Sequence, residues 1–115
     1  AGAGADGSSK ADGTSYGNVR DGNLSTYWSP SGSTGSVSVK WGSATTVSKA
    51  NVRLASGSGT IGSYRVLNHD TGAVLASGSG SGVIGFAPTS LKKITLEITS
   101  ANGTPRIAEF ETYAS

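Results

Sequence analysis

The stretch GSVSVKWG, residues 35–42, alternates apolar and polar side chains from end to end. The alternation puts Val37, Val39 and Trp41 on one face, with serine and lysine on the other. Because successive side chains of a strand point to opposite faces, this is the pattern of a β-strand with one buried face. The stretch therefore predicts a strand that packs its apolar side against a core.

Similar stretches follow along the chain, separated by small residues and turn signals. They are residues 47–56, 64–77, 91–100 and 106–114. The second of them carries Asp70, Thr71 and Gly72 between two apolar runs, which predicts a tight turn and a hairpin. No segment has a convincing helical period, and the 18 glycines would be costly inside helices. Strands at this spacing predict an all-β fold, either a sandwich or a barrel.

The composition narrows the possible functions. The 115 residues suffice for one domain, residues 1–115, and are too few for two. The absence of cysteine excludes a disulfide framework, a thiolate nucleophile and a Cys-based metal site. No continuous apolar stretch occurs, and the net charge of +2 is thinly spread, so we expect a monomer without a membrane or nucleic-acid partner. The sequence has no initiator methionine and no signal peptide, so we expect a mature segment or an excised module.

Candidate catalytic groups are poorly placed. His69 is the only histidine, and its neighbour Asp70 would point away from it, so no carboxylate orients the imidazole for a nucleophilic relay. Glu109 and Glu111 alternate onto one strand face, where two carboxylates repel each other unless a cation lies beside them. A small hydrolase or lyase is therefore the last of the functional alternatives, and the two glutamates raise the question of a metal.

A second informative stretch is NVRDGNLSTYWSP, residues 18–30. Asp21 and Thr26 offer hard oxygen ligands, and Gly22 permits a tight turn that can expose backbone carbonyls to a cation. Two or three local oxygens fall short of the roughly six to eight that calcium takes, so a distant carboxylate would have to complete the shell. The alternative is an ordinary turn closed by Asp and Asn side chains.

Two segments from opposite ends of the chain carry a family resemblance. DGNLSTYW, residues 21–28, together with RIAEFETYA, residues 106–114, resembles the discoidin or coagulation-factor type C fold, which includes family 32 carbohydrate-binding modules. SVSVKWGSATTVSKANVRL resembles the second and third strands of that family, and YRVLNHDTGAVL resembles its hairpin. The chain is shorter than typical members, and Lys40-Trp41-Gly42 stands where they have Asp-Leu-Gly. The resemblance implies an antiparallel β-sandwich of the discoidin-like jelly-roll type.

The resemblance also implies a structural calcium that joins the two ends of the chain. Carried over by position, the ligands would be the carboxylates of Asp21 and Glu109, the hydroxyl of Thr26, and the carbonyls of Asn18, Asn23, Thr26 and Ala108. The implied function is a non-catalytic carbohydrate-binding module of a secreted bacterial polysaccharide-degrading enzyme, with the catalytic domain elsewhere in the parent chain. The alternative is a discoidin-type adhesion domain that binds protein or a membrane surface, for which Ile61 is the candidate apolar loop residue.

The strand order predicts where a sugar would bind. If consecutive strands are antiparallel, the loops at residues 29–35, 55–63, 78–85 and 100–105 share one end of the sandwich, and the turn at residues 70–72 lies at the other. The polar or aromatic candidates for sugar binding are Tyr16, Arg53, Arg65, Asn102 and Arg106. Arginines pair well with carboxylates, which favours an acidic plant-cell-wall polysaccharide such as pectin. Neutral galactose- or arabinose-containing side chains are the alternative, and both tryptophans are expected in the core.

Overall fold

The computed structural model describes residues 4–7, 14, 16, 19, 26–30 and 32–113. These residues contain six β-strands and no α-helix. The strands are β1 (Gly4–Gly7), β2 (Gly35–Leu54), β3 (Thr60–Asn68), β4 (Val74–Gly78), β5 (Gly82–Asn102) and β6 (Ile107–Tyr113). All of their pairings are antiparallel. In this part of the chain, no helix is long and apolar enough to cross a membrane.

The two long strands, β2 and β5, connect two layers. Residues 35–40 of β2 pair with residues 93–98 of β5, and this layer is extended by β1 on one side and by β3 and β4 on the other. Residues 45–52 of β2 pair with residues 82–91 of β5, and β6 extends this second layer. The register breaks between Lys40 and Thr45, where β2 passes from one layer to the other. The predicted antiparallel β-sandwich is thereby confirmed.

The core lies between the layers and follows the alternation of the sequence. Val37 and Val39 on β2 and Ile94, Leu96 and Ile98 on β5 are all buried, while most of their strand neighbours point outward. Both tryptophans take the predicted inward direction, because Trp28 is fully buried and the half-buried Trp41 packs against the core. Burial of the apolar face is therefore what sets the orientation of the strands.

Some predicted boundaries were wrong. The stretch 35–42 and most of the stretch 47–56 belong to one continuous strand, which ends at Leu54. β5 begins at Gly82, inside the segment that was predicted to be the loop 78–85. Residues 82–85 pair with β2, with Val83 opposite Asn51 and Ile84 opposite Ala50. Backbone hydrogen bonding holds these residues in the ladder although glycine and serine surround them. β1, which contains only Gly, Ala and Asp, was not predicted.

The predicted separation from the turn at residues 70–72 is confirmed for three of the four loops. The segments 55–59 and 103–106 meet at one end of the sandwich, where the Gly59 amide donates to the Thr104 carbonyl at 2.9 Å. The connection from β4 to β5 joins them there, since the Gly80 amide donates to the Ile61 carbonyl at 2.8 Å. The turn at residues 70–72 lies away from these loops, beside the middle of β5, because the His69 amide donates to the Lys93 carbonyl at 3.1 Å. We call the end of the sandwich where residues 55–59 meet residues 103–106 the loop end.

Ile61 does not protrude from the loop end. It is 1% exposed and belongs to the core, at the start of β3. The prediction that it forms an apolar loop tip was therefore wrong. Its side chain is one of the inward residues of a strand, because β3 begins at Thr60, four residues earlier than the sequence pattern indicated.

Candidate functional site

A polar cleft of about 450 Å³ opens at the loop end. Its described lining consists of hydroxyl side chains, three glycines, one phenol and one guanidinium. The residues are Thr14, Tyr27, Ser29, Gly57, Ser58, Gly59, Gly103, Thr104 and Arg106. We call it the loop-end cleft. Its walls are the segment before β2, the loop between β2 and β3, and the loop between β5 and β6.

Hydrogen bonds fix two of these walls to each other. The Ala55 amide donates to the Arg106 carbonyl at 2.8 Å, next to the Gly59 to Thr104 bond already described. The Ser58 hydroxyl accepts from the Arg106 amide at 2.9 Å and donates to the Gly59 carbonyl at 2.7 Å. One serine side chain therefore satisfies backbone groups of both loops. The loops are fixed relative to each other before any ligand arrives.

The third wall is held by Trp28. Its amide donates to the Ile107 carbonyl at 2.9 Å, and the Ile107 amide donates back at 2.7 Å. The indole is buried in the core, so the preceding residue on an extended segment points the other way. Tyr27 accordingly lines the cleft. Burial of one aromatic residue thus places its neighbour in the wall of the cleft.

Arg106 lies over the Tyr27 ring, with its guanidinium carbon 5.1 Å from the ring centroid. This separation is within the range of a cation–π interaction. One guanidinium nitrogen, Nη1, also donates to the Ser56 carbonyl at 3.2 Å. The side chain is thereby held in one place at the cleft wall, half-buried.

The structure distributes the predicted sugar-binding residues over different surfaces. Arg106 lines the loop-end cleft, and Asn102 ends β5 beside it, with its carbonyl close to Gly59. Tyr16 is half-buried and packs on Trp28, with ring centroids 6.4 Å apart. Arg53 and Arg65 project from strands and do not line the cleft. Only Arg106 and Asn102 of this set are therefore brought together by the loop end.

Arg53 and Arg65 each face a carboxylate on a neighbouring strand. Arg53 Nη1 lies 3.8 Å from Glu111 Oε1, and Arg65 Nε donates to Glu97 Oε1 at 2.8 Å. The Glu111 carboxylate also accepts a hydrogen bond from the side-chain amide of Asn51, Nδ2, at 2.9 Å. These contacts are typical of exposed ion pairs on solvated strand faces.

Sequence reasoning missed Tyr27, Ser58 and Thr104 as cleft residues. A usable signal existed for Tyr27, since it stands next to a tryptophan that was assigned to the core and so had to face outward. Ser58 and Thr104 stand in glycine-rich loops that show no periodicity. Their positions depend on contacts between loops that are far apart in the sequence.

The predicted calcium ligands are only partly described. Asn18, Asp21 and Asn23 lie outside the described residues, whereas Thr26, Ala108 and Glu109 lie within them. Glu109 is 6% exposed and Ala108 is fully buried. If the antiparallel pairing of Trp28 with Ile107 continued by two residues, Thr26 would stand opposite Glu109. The described residues contain no group of three or more His, Cys, Asp or Glu side chains able to hold a metal.

The residue types of the described ligands suit calcium. A carboxylate with so little exposure needs a compensating charge or hydrogen bonds. The hydroxyl and carbonyl oxygens of the described ligands are of the hard type that calcium prefers. The described half of the predicted ligand set is thus compatible with the ion.

Solved structures of other proteins share this fold. No protein-family model and no curated protein sequence matches the chain. Among solved structures, the family 32 module of NanJ from C. perfringens, in complex with galactose, superposes with a TM-score of 0.82 at 22% identity, over 95% of this chain and 91% of that one. The family 32 module of AlyQ, in complex with 4,5-unsaturated mannuronic acid, superposes with a TM-score of 0.80 at 26% identity, over 100% and 97%.

Longer chains also contain the same fold. The GH29 fucosidase E1_10125 of Ruminococcus gnavus, in complex with fucose, superposes with a TM-score of 0.79 at 24% identity, over 96% of this chain. The present chain spans 25% of that fucosidase and 27% of the chain of SpGH29. The chain therefore matches about a quarter of the length of each of these two proteins. The architecture of this chain is that of the discoidin-like family 32 carbohydrate-binding modules, which its sequence resembles.

Proposed function

We propose that this chain is a non-catalytic carbohydrate-binding module that holds a polysaccharide in the loop-end cleft. The observation that carries the proposal is the cleft itself, whose described lining supplies hydroxyl, phenol and guanidinium groups at the end of a rigid sandwich. Such groups suit hydrogen bonding to sugar hydroxyls. The modules of NanJ and AlyQ, which match nearly the whole chain, are in complex with galactose and with an unsaturated uronic acid.

The proposal includes a parent enzyme. We infer a secreted bacterial polysaccharide-degrading enzyme, in which this monomeric module brings a catalytic domain to its substrate. The match to a quarter of a fucosidase chain supports this arrangement, because there the same fold accompanies further chain length. The adhesion alternative loses its supporting residue, since Ile61 is buried.

A structural calcium belongs to the same proposal. Its ligands would be Asn18, Asp21, Asn23, Thr26, Ala108 and Glu109. The ion would bind the buried Glu109 carboxylate and would tie the segment before β2 to β6. Because that segment carries Tyr27, the metal would also support one wall of the loop-end cleft.

Pectin is the polysaccharide that we propose. The sequence argument relied on arginines as a group, and the carboxylate partners of Arg53 and Arg65 weaken it for these two. Support now comes from Arg106 in the loop-end cleft and from the uronic acid in the AlyQ module. Neutral galactose- or arabinose-containing side chains remain the alternative ligand.

A glycan array with and without calcium tests the module assignment. We expect binding to plant-cell-wall oligosaccharides with a dissociation constant on the order of 0.1–1 mM, since the site is shallow and solvated. Amide chemical-shift changes on titration should cluster at residues 55–59 and 103–106. An array without a bound glycan, or shifts confined to the turn at residues 70–72, would contradict the proposal.

A further inference from the structure

We infer that the loop-end cleft selects a sugar that carries a carboxylate, and that Arg106 is the residue that recognises it. This inference rests on the proposed function, because it specifies the ligand class of the same cleft. Arg106 alone would then determine the specificity for the carboxylate. Arg53 and Arg65, the two other candidate arginines, would have no part in it.

Arg106 differs from Arg53 and Arg65 in what surrounds its positive charge. Arg53 and Arg65 have Glu111 and Glu97 as partners, whereas no carboxylate of the described residues pairs with Arg106. Its side chain instead contacts a backbone carbonyl and an aromatic ring, and neither carries a formal charge. The described lining of the loop-end cleft contains no Asp or Glu. The cleft therefore presents a cation that is not neutralised within this lining.

A second feature of Arg106 is the fixed position of the guanidinium. Its carbon lies over the Tyr27 ring, and the Ser56 carbonyl accepts from Nη1. Gly57 makes this position possible, because a Cβ atom there would lie 2.9 Å from Nη1. Gly57 also has a φ of +79°, a conformation that residues with a side chain rarely adopt. A guanidinium held in this way loses little further freedom when a ligand binds.

A third feature is what the guanidinium offers. One of its N–H groups is used by Ser56, and the others have no acceptor among the described side chains. Because Arg106 covers the Tyr27 ring, a sugar that enters from that side meets a planar set of donors rather than an aromatic face. A planar fork of donors matches the two oxygens of a carboxylate. The hydroxyls of Ser29 and Thr104 remain nearby for the neutral parts of the sugar.

Titration of the full chain with trigalacturonate, trimannuronate and the methyl ester of trigalacturonate tests whether the loop-end cleft selects a carboxylate. The ester keeps the backbone of the sugar and removes its charge. We expect at least one of the free acids to bind roughly tenfold more tightly than the ester, since charged hydrogen bonds are about twice as strong as neutral ones. The advantage should shrink as sodium chloride rises from about 50 to 500 mM.

Arg106→Gln should reduce the affinity for the acid roughly tenfold and leave the affinity for the ester unchanged. Arg106→Lys keeps the charge without the fork and should recover only part of the loss. Lys92→Gln is the matched control, because it removes one positive charge near the turn at the opposite end. Thermal melts of all variants verify that they are folded.

Several results would overturn the inference and leave the proposed function intact. They are equal binding of acid and ester, wild-type affinity of Arg106→Gln for the acid, or an equal loss in Lys92→Gln. A sulfated galactan without uronic acids that binds as tightly as the acids would show that negative charge without carboxylate geometry suffices, and would also overturn it. Absence of binding to acids, ester and the whole neutral array would instead refute the proposed function.

Discussion

Gly59→Ala tests whether contact between two loops builds the loop-end cleft. A Cβ atom at position 59 would lie 2.7 Å from the Asn102 carbonyl oxygen, 2.7 Å from the Gly103 carbonyl carbon and 2.9 Å from the Thr104 nitrogen. Ordinary contact begins near 3.4 Å, so the loops would have to separate by roughly 0.7 Å. All three obstacles are backbone atoms, so no side chain can rotate out of the way.

The cost follows from these contacts. Forcing extra volume into a packed site costs about 1–3 kcal/mol, and the lower entropy of the unfolded alanine chain offsets about 0.4–1 kcal/mol of it. The free energy of unfolding should therefore fall by about 1–2 kcal/mol. For a chain of this length, this corresponds to a decrease in Tm of roughly 4–8 °C. The separation also strains the 2.9 Å hydrogen bond from the Gly59 amide to the Thr104 carbonyl. We therefore expect the affinity for glycans to fall together with the free energy of unfolding.

Denaturant unfolding and glycan titration of the same samples measure both effects. Gly32→Ala is the matched control, because a Cβ atom there meets nothing within 4 Å. We expect its stability to stay within about 0.5 kcal/mol of wild type and its affinity to be unchanged. If Gly59→Ala behaved like Gly32→Ala in both assays, the close approach of the two loops would not be what holds the cleft, and the reasoning would be refuted.

Two further predictions concern the metal and a buried phenol. Chelation of calcium should lower Tm, since an ion at 100 times its dissociation constant stabilises a folded state by about 2.7 kcal/mol, and Asp21→Ala should abolish the response; an unchanged melt of verified metal-free protein would exclude the site. Burial raises the pKa of the Tyr64 phenol above its ordinary value of 10.0, so its contribution to stability is complete below pH 10 and is lost as the pH rises above it. In unfolding measured as a function of pH, Tyr64→Phe should reduce the loss of stability above pH 10. An unaltered pH profile in this variant would contradict the role of the Tyr64 phenol.

Much of the fold was predictable because its cause is local. Alternation identified the inward faces at Val37, Val39 and Ile94, since a strand with one buried face must repeat every two residues. The turn at residues 70–72 was predictable because its residue types favour tight turns. The start of β5 at Gly82 was not predicted, because glycines interrupt the short apolar run there. The ladder with β2 and the packing of Ile84 and Phe86 on the core hold that segment in the sheet.

The candidate site was less predictable, for a related reason. Arg53, Arg65 and Arg106 are equivalent in a sequence that shows only isolated arginines. Their roles differ because of partners distant in the chain, as with Arg65 and Glu97, which are 32 positions apart. Which cation keeps its charge available depends on strand register, and register is a property of the folded sheet.

The sequence by itself determined the fold class, the hairpin, the inward direction of Trp28 and the sharing of one end by the loops. All of these follow from period, turn chemistry and antiparallel order, which neighbouring residues specify. Only the tertiary structure decided that two predicted strands are one, that Ile61 is buried, and that a cleft forms where the loops of Gly59 and Thr104 meet. The physical reason is that a loop rich in glycine has no preferred shape of its own, so contacts with another loop select it.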